Sequence, residues 1–298
     1  MLCQRTLSGV AETSGVGLHS GTEVRLALHP APADSGIRFR RSDLANARDI
    51  PARADQVAST RLCTTLAVGD QQVATVEHLL AALAGLGIDN ALVEVSAPEV
   101  PIMDGSAAPF VDLIRASGIT ELPVAKRCLR VTREVGVTEG DKSAVFEPFE
   151  GFRMSFTIDF EQPVFQGRAA SFERDLSHAG FVRDVSEART FGFVHEVEYL
   201  RAGGLARGGS FDNAILVDDY RILNPDGLRS EDEFVRHKAL DAIGDLYLLG
   251  HNLVGSFRAV KSGHGLNHAA VSKLLATPDA WELVTYPSTV QAPLSFEL

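Results

Sequence analysis

The sequence predicts an α+β protein, and three observations carry that reading. Apolar and polar residues alternate as in strands through Glu23-Val24-Arg25-Leu26-Ala27-Leu28 and Ala91-Leu92-Val93-Glu94-Val95. Between those segments, residues 76–86 form an apolar helical stretch. Beyond residue 127, strand-like segments return and a further long helix follows, so both parts of the chain combine strands with helices.

In chain order, the opening MLCQRTLSGVAETSG has no apolar run after its Arg and does not read as a secretory signal. No apolar stretch approaches the roughly 18 residues of a membrane span, so cytoplasmic residence is expected. The stretch SGVGLHSG at 14–21 is glycine-rich like a phosphate cradle, but it does not clearly join a strand to a helix and lacks Walker or dinucleotide spacing. It reads as a tight turn near a site. Thr75 is placed to cap the helix that follows, which puts Glu77 and His78 in its first turn. Adjacent helical residues point in different directions, so one can bind a metal while the other addresses water. A capped helix with an incidental His fits the same residues.

The run SGITELPVAKR at 117–127 mixes turn formers, Pro and charge, and places a domain boundary there: residues 1–127 and residues 128–298. Strands are then expected at 128–131 and 155–158, and a helix around 184–189. A Gly-rich stretch at 203–209, a strand at 214–217 and a turn at Asn224-Pro225-Asp226-Gly227 come next. The long helix beyond starts with Glu231, Asp232 and Glu233, where carboxylates suit the dipole, and Gly250 stands where a C-cap is expected. No sequence repeat relates the two parts.

With 298 residues, 45% of them hydrophobic, the chain can build one large core or two ordinary domains. The 28 Lys and Arg against 39 Asp and Glu, net charge −11, disfavour a broad nucleic-acid-binding surface. An anionic small substrate would need only a local cluster of basic residues. Cys3, Cys63 and Cys128 lack metal-ligand spacing and leave an odd thiol in any pairing, so a metal here would be held by His and carboxylates.

His237, Asp241 and Asp245 recur every four residues, so a helix sets them in one row where two can grip one ion. On spacing alone the solvated helix face remains the more economical account. In Lys261-Ser262-Gly263-His264-Gly265 the flanking glycines permit close approach of a ligand, as many surface loops also do.

The strings SGVGLHSG, TVEHLLAALAGLGIDN, PIMDGSAAPF, RTFGF, GGSFDNAI, VDDYRILNPDGLRSEDEFVRHKALDAIGDL and KSGHGLN, in this order, make the chain resemble the UDP-3-O-acyl-N-acetylglucosamine deacetylases of lipid A biosynthesis in Gram-negative bacteria. The likeness runs from about residue 4 nearly to the C-terminus. It implies two similar two-layer α/β-sandwich domains with the active site between them, and an acyl-passage insert around residues 193–216 of the second. It implies hydrolysis of the N-acetyl group of UDP-3-O-((R)-3-hydroxyacyl)-N-acetylglucosamine to the free 2-amine and acetate, the committed step of lipid A biosynthesis. A zinc amidohydrolase of the same fold acting on another N-acyl sugar is the alternative. A non-catalytic sugar-nucleotide binder would lack one of Glu77, His78, Thr190, His237, Asp241 and His264, and all are present.

By that resemblance His78, His237 and Asp241 are the ligands of one zinc ion per chain, a shell that also accepts iron(II), with a fourth position left open. Glu77 is implied as general base for the attacking water, Thr190 as the hydroxyl that supports the tetrahedral oxyanion, and His264 as the acid for the departing amine, oriented by Asp245. Lys238, Lys142, Phe160 and Lys261 are implied contacts to the UDP-sugar, the lysines supplying local positive charge. Leu18, Phe191, Val197, Ala206, Phe211, Ala214 and Leu216 are expected along the acyl chain. His19 and Cys63 fall in family motifs near the cleft without an assigned step. Two positions depart from the pattern: Glu196 stands for an expected Asp, and Arg207 stands where an apolar residue is usual, which puts in doubt how far the apolar lining extends. The expected assembly is a monomer that binds a small molecule, with no nucleic acid and no transmembrane segment.

Overall fold

Alternation in the sequence becomes alternation of burial: in the strand Glu23–Pro30, Val24, Leu26 and Leu28 are buried while Glu23 and Arg25 face solvent. The computed structural model describes residues 1–168 and 170–287, so the last part of the expected second domain, residues 288–298, lies outside the described residues. Glu23–Pro30 sits second in a five-stranded sheet ordered Ala11–Val16, Glu23–Pro30, Ala91–Val95, Ile37–Arg41, Ile50–Pro51. Its apolar side is covered by helix α1 (Glu77–Gly85) and helix α2 (Ala108–Ser117), the latter burying Phe110, Val111 and Ile114.

In the later part, Asn252–Val260 is the spine of a seven-stranded sheet, pairing in parallel with Cys128–Val131 and Phe152–Thr157 and antiparallel with Lys142–Glu147. Seven of its nine residues are buried, which accounts for its near-continuous apolar reading. Four helices accompany it: α3 (His178–Asp184), α4 (Val194–Ala202), α5 (Glu233–Leu246) and α6 (His264–Leu275). The fold is α+β. Among the described residues, strands up to Ala125 pair only with one another, and so do strands from Cys128 onward. On that pattern we propose 127/128 as the domain division.

All nine residues of α1 are buried, as a helix apolar on every side must be. The carbonyls at its C-terminal end and in the turn just beyond are buried with it, and side chains from the later half and the linker donate to them. Gly85 O accepts from the His178 Nδ1–H, Ala84 O from Asn252 Nδ2 at 3.2 Å, Gly87 O from Lys126 Nζ at 3.0 Å and Ile88 O from the Tyr247 hydroxyl at 2.5 Å. The dock between the halves is therefore polar at this end. Burial, with the positive charge of Lys126 nearby, pushes the His178 pKa down to about 3, so the imidazole is a neutral donor.

Two local expectations are corrected. The helix expected at 184–189 lies about one and a half turns earlier, as α3: the Ser177 hydroxyl accepts from Gly180 N at 3.0 Å and starts it. Beyond Asp184 the chain leaves the helix, and Arg189 N and Nε reach Glu233 Oε1 at 3.1 and 2.8 Å. Thr75 does not cap α1. Its φ is +57°, the N-cap is Val76 without a side-chain bond, and the Thr75 hydroxyl instead donates to buried Glu99 at 3.1 Å. Among the described residues, no helix is long and apolar enough to cross a membrane.

Candidate metal centre and active site

Two helices supply the residues that can hold a metal. His78 lies in the first turn of α1, and His237 and Asp241 lie one turn apart on α5. The helices meet at Gly244, where an added Cβ would stand 2.0 Å from Glu77 O and 2.9 Å from Glu77 Cα. Only a residue without a side chain lets α1 rest that closely on α5.

The result is a buried cluster in which one donor atom from each of His78, His237 and Asp241 lies within 4.8 Å of the others. His78 Nε2 and His237 Nε2 stand 3.4 and 3.3 Å from Asp241 Oδ1. Tetrahedral zinc with donors at about 2.0–2.1 Å separates them by about 3.3–3.4 Å, so these spacings suit a single ion. His237 donates its Nδ1–H to Ala188 O at 3.0 Å, which leaves Nε2 as the free lone pair. Burial, opposed by Asp241, lowers the His237 pKa to about 3, so it stands as the neutral ligand form. Burial would raise the Asp241 pKa, but His237 and Lys238 hold it well below the usual carboxylate range.

Glu77 lines the same cleft. Its Oε2 accepts from Thr64 N at 3.0 Å and its Oε1 lies 3.7 Å from His264 Nε2. Burial raises its pKa, which makes it the stronger base. His264, at the start of α6, gives its Nδ1–H to Asp245 Oδ2 at 2.9 Å. Burial alone would pull the imidazole down, yet the charges of Asp245 and Glu77 raise its pKa to about 10. Asp245 is itself buried, receiving Thr64 Oγ1 at 2.6 Å and Asn267 Nδ2 at 2.9 Å.

These groups border a cleft of about 630 Å³, which also takes in Thr190, Phe160, Lys142, Lys238, Lys261, Leu18 and Phe191. Asp245 stands behind His264, outside the lining. Thr190 is held through its backbone, with N on Gly105 O and its own carbonyl taking Ile215 N, both at 2.8 Å. Of the three lysines, two already carry partners: Lys238 Nζ is 2.6 Å from Asp241 Oδ2, and Lys261 Nζ is 2.6 Å from both Asp141 and Asp159. The local positive charge expected of them is therefore largely balanced in the chain itself. Lys142 is exposed at the rim.

A second cavity, of about 340 Å³, opens beside the first and shares Leu18, Thr190, Phe191 and Glu196 with it. Val197, Ala206, Phe211, Ala214 and Leu216 all line it, Phe211 from the edge at 49% exposure. Arg207 is not among the lining residues. Leu62, Leu200 and Arg201 are, and no local motif marks them. The cavity is framed by the parallel pair Phe191–Phe193 and Ile215–Val217 with α4 between them in sequence.

Four further residues shape the site without having been legible as site residues. Glu233, expected only to favour the helix dipole, clamps Arg189 and so fixes the 188–190 segment that carries Ala188 O and Thr190. Buried Glu99 accepts from His19 N at 2.8 Å and Ser20 N at 2.9 Å, anchoring the turn that bears Leu18. Thr64 and Asn267 complete the ring around Asp245. Cys63, buried with its pKa pushed up to about 12 by burial, is an inert thiol.

A sequence profile of the family described as UDP-3-O-acyl N-acetylglycosamine deacetylase matches residues 4–276. Curated relatives named UDP-3-O-acyl-N-acetylglucosamine deacetylase include one from Teredinibacter turnerae, 58% identical over 296 residues that cover 99% of this chain and 98% of the relative. Those from Saccharophagus degradans and Marinobacter nauticus are 59% and 60% identical over 296 residues, covering 99% of this chain and 98% and 97% of theirs.

Proposed function

This chain belongs to the UDP-3-O-acyl N-acetylglycosamine deacetylase family, and we infer that it is the amide hydrolase that removes the N-acetyl group of UDP-3-O-acyl-N-acetylglucosamine in lipid A biosynthesis. We further propose that His78, His237 and Asp241 hold one zinc ion. When bound, zinc supplies Lewis-acid polarisation and lowers the pKa of water to about 7.

The chain's own residues supply the rest of the chemistry. Glu77, with Oε2 tied to Thr64 N, keeps Oε1 free to take a proton from the attacking water. The Thr190 hydroxyl donates to the oxygen that becomes negative as the acetamide carbon turns tetrahedral, a contribution of about 3–4 kcal/mol for such a donor. His264 Nε2 passes its proton to the sugar nitrogen, without which an amine leaves poorly, and Asp245 holds the opposite ring nitrogen. The observation that carries the substrate assignment is the apolar second cavity opening directly beside the metal cleft. A generic N-acetyl sugar has nothing to place there.

Chelation is expected to abolish deacetylation of the UDP-linked acylated substrate, and added zinc to restore it. Parallel reconstitution with iron(II) under anaerobic conditions ranks the two ions. Activity that survives exhaustive chelation would remove the metal from the reaction. The cytoplasm is our proposed compartment, in keeping with three free thiols, and a monomer our proposed assembly.

The rate is expected to follow a bell-shaped pH profile. Glu77 must be unprotonated, and burial places its pKa above the ordinary carboxylate value, which sets the acid limb. His264 must be protonated, so activity falls as pH rises through its pKa. Asp245 and Glu77 hold that value up at about 10, and a cation bound at the ligand triad would lower it. His264→Gln is expected to flatten the alkaline limb and slow turnover about 100-fold or more. Persistence of that limb in the variant assigns it to another group.

A further inference from the structure

We propose that Thr64 is a positioning residue that holds the base and the acid of the deacetylation in one frame. The inference rests on the roles given above to Glu77 and His264. Thr64 lies just ahead of the strand Thr65–Val68 and is 2% exposed, with every polar atom engaged at the site. Its backbone N donates to Glu77 Oε2 at 3.0 Å, and its carbonyl accepts from Val76 N, the residue before α1, at 3.3 Å. Its hydroxyl donates to Asp245 Oδ1 at 2.6 Å and stands 3.3 Å from His264 Nδ1.

One residue of the earlier half thus grips the first turn of α1 with its backbone and reaches α5 and the start of α6 with its side chain. The hydroxyl has a single proton, and the shorter contact assigns it to the Asp245 carboxylate. Its lone pair then faces His264 Nδ1, which must carry a proton because Asp245 Oδ2 accepts from it at 2.9 Å. Nε2 is left aimed at the cleft, 3.7 Å from Glu77 Oε1. Asp245 Oδ2 is also held by Asn267, whereas Thr64 is the side-chain partner seen on Oδ1 among the described residues. Without that hydroxyl, a buried carboxylate oxygen loses its donor and the carboxylate can turn about its bond, taking the imidazole with it.

The test compares Thr64→Val, which keeps the shape and loses the hydroxyl, with Thr64→Ser, which keeps the hydroxyl. On the UDP-linked acylated substrate, Thr64→Val is expected to lower kcat about 10- to 100-fold, with KM and zinc content as in the wild type. Thr64→Ser should recover to within about threefold of wild type. Because Thr64 acts through Asp245, adding Thr64→Val to Asp245→Asn should cost less than about twofold more. Where Thr64→Val does not fold, Thr64→Ala against Thr64→Ser carries the same comparison.

The proposal is overturned by a Thr64→Val kcat within about twofold of wild type, by Thr64→Ser as slow as Thr64→Val, by losses that multiply fully in the Asp245→Asn background, or by a rise in KM alone. Wild-type enzyme without deacetylase activity would instead overturn the parent reading, and this one with it.

Discussion

His237→Ala is expected to emerge from purification and dialysis without bound zinc and without measurable deacetylation, while Glu77→Ala keeps its zinc and loses about 10²- to 10⁴-fold in kcat. The two residues lie in the same buried pocket, but their surroundings separate their roles. His237 is neutral, is fixed by Ala188 O and presents Nε2 3.3 Å from Asp241 Oδ1. With an alanine there, only His78 and Asp241 remain, and two donors grip zinc poorly where three are the usual protein complement of a catalytic site. Glu77 borders the same cleft without being one of the three clustered donors, and its oxygens reach Thr64 N and His264 Nε2, so its removal takes a proton acceptor and no ligand. Elemental analysis of the two variants beside wild type, combined with kcat, decides the matter. Equal zinc in both would take His237 out of the ligand set.

A second large effect is expected from the substrate side. Removing the 3-O-acyl chain should lower kcat/KM by several orders of magnitude. Each buried methylene contributes about 0.8 kcal/mol, so five of them supply about 4 kcal/mol, close to three decades. The second cavity, at about 340 Å³, has room for such a length, and it adjoins the residues that surround the amide. Binding energy gained there can orient the acetamide at the ligand cluster, so the loss should be seen in kcat as well as KM. Phe211→Asp is expected to slow the acylated substrate and barely change the residual rate on the unacylated one. Phe211 is 49% exposed at the cavity edge, so Leu216→Asp, deeper in the frame, should cost more. Kinetics of wild type and both variants on both substrates test this. A loss by the same factor on the two substrates would make the insert a structural element and send the search for the acyl chain elsewhere.

Much of this was legible before any coordinates. The helix at 76–86 and the strands at 91–95 and 128–131 are local statements about period, and they stand in the structure at Glu77–Gly85, Ala91–Val95 and Cys128–Val131. The row His237, Asp241, Asp245 was visible as spacing, but spacing could not exclude a solvated face. The structure buries all three. The resemblance, carried by seven strings, reached the substrate class before the geometry did.

What stayed hidden depends on partners far apart in the chain. Thr75 satisfies every local rule for an N-cap, yet Glu99, buried across the site, takes its hydroxyl and leaves the residue at φ +57°. Residues 184–189 read as helix because nothing nearby shows that Arg189 will be held by Glu233. Gly244 looks like a weak point in a helix and is instead the contact that lets α1 approach. Periodicity by itself determined the α+β class and the elements just named, since that signal acts over a few residues, while the candidate ligands came from the resemblance. Only the tertiary structure decided that Thr64 would lie between Glu77, Asp245 and His264, because contacts spanning 13, 181 and 200 residues exist only after three helices and a strand end have been packed together.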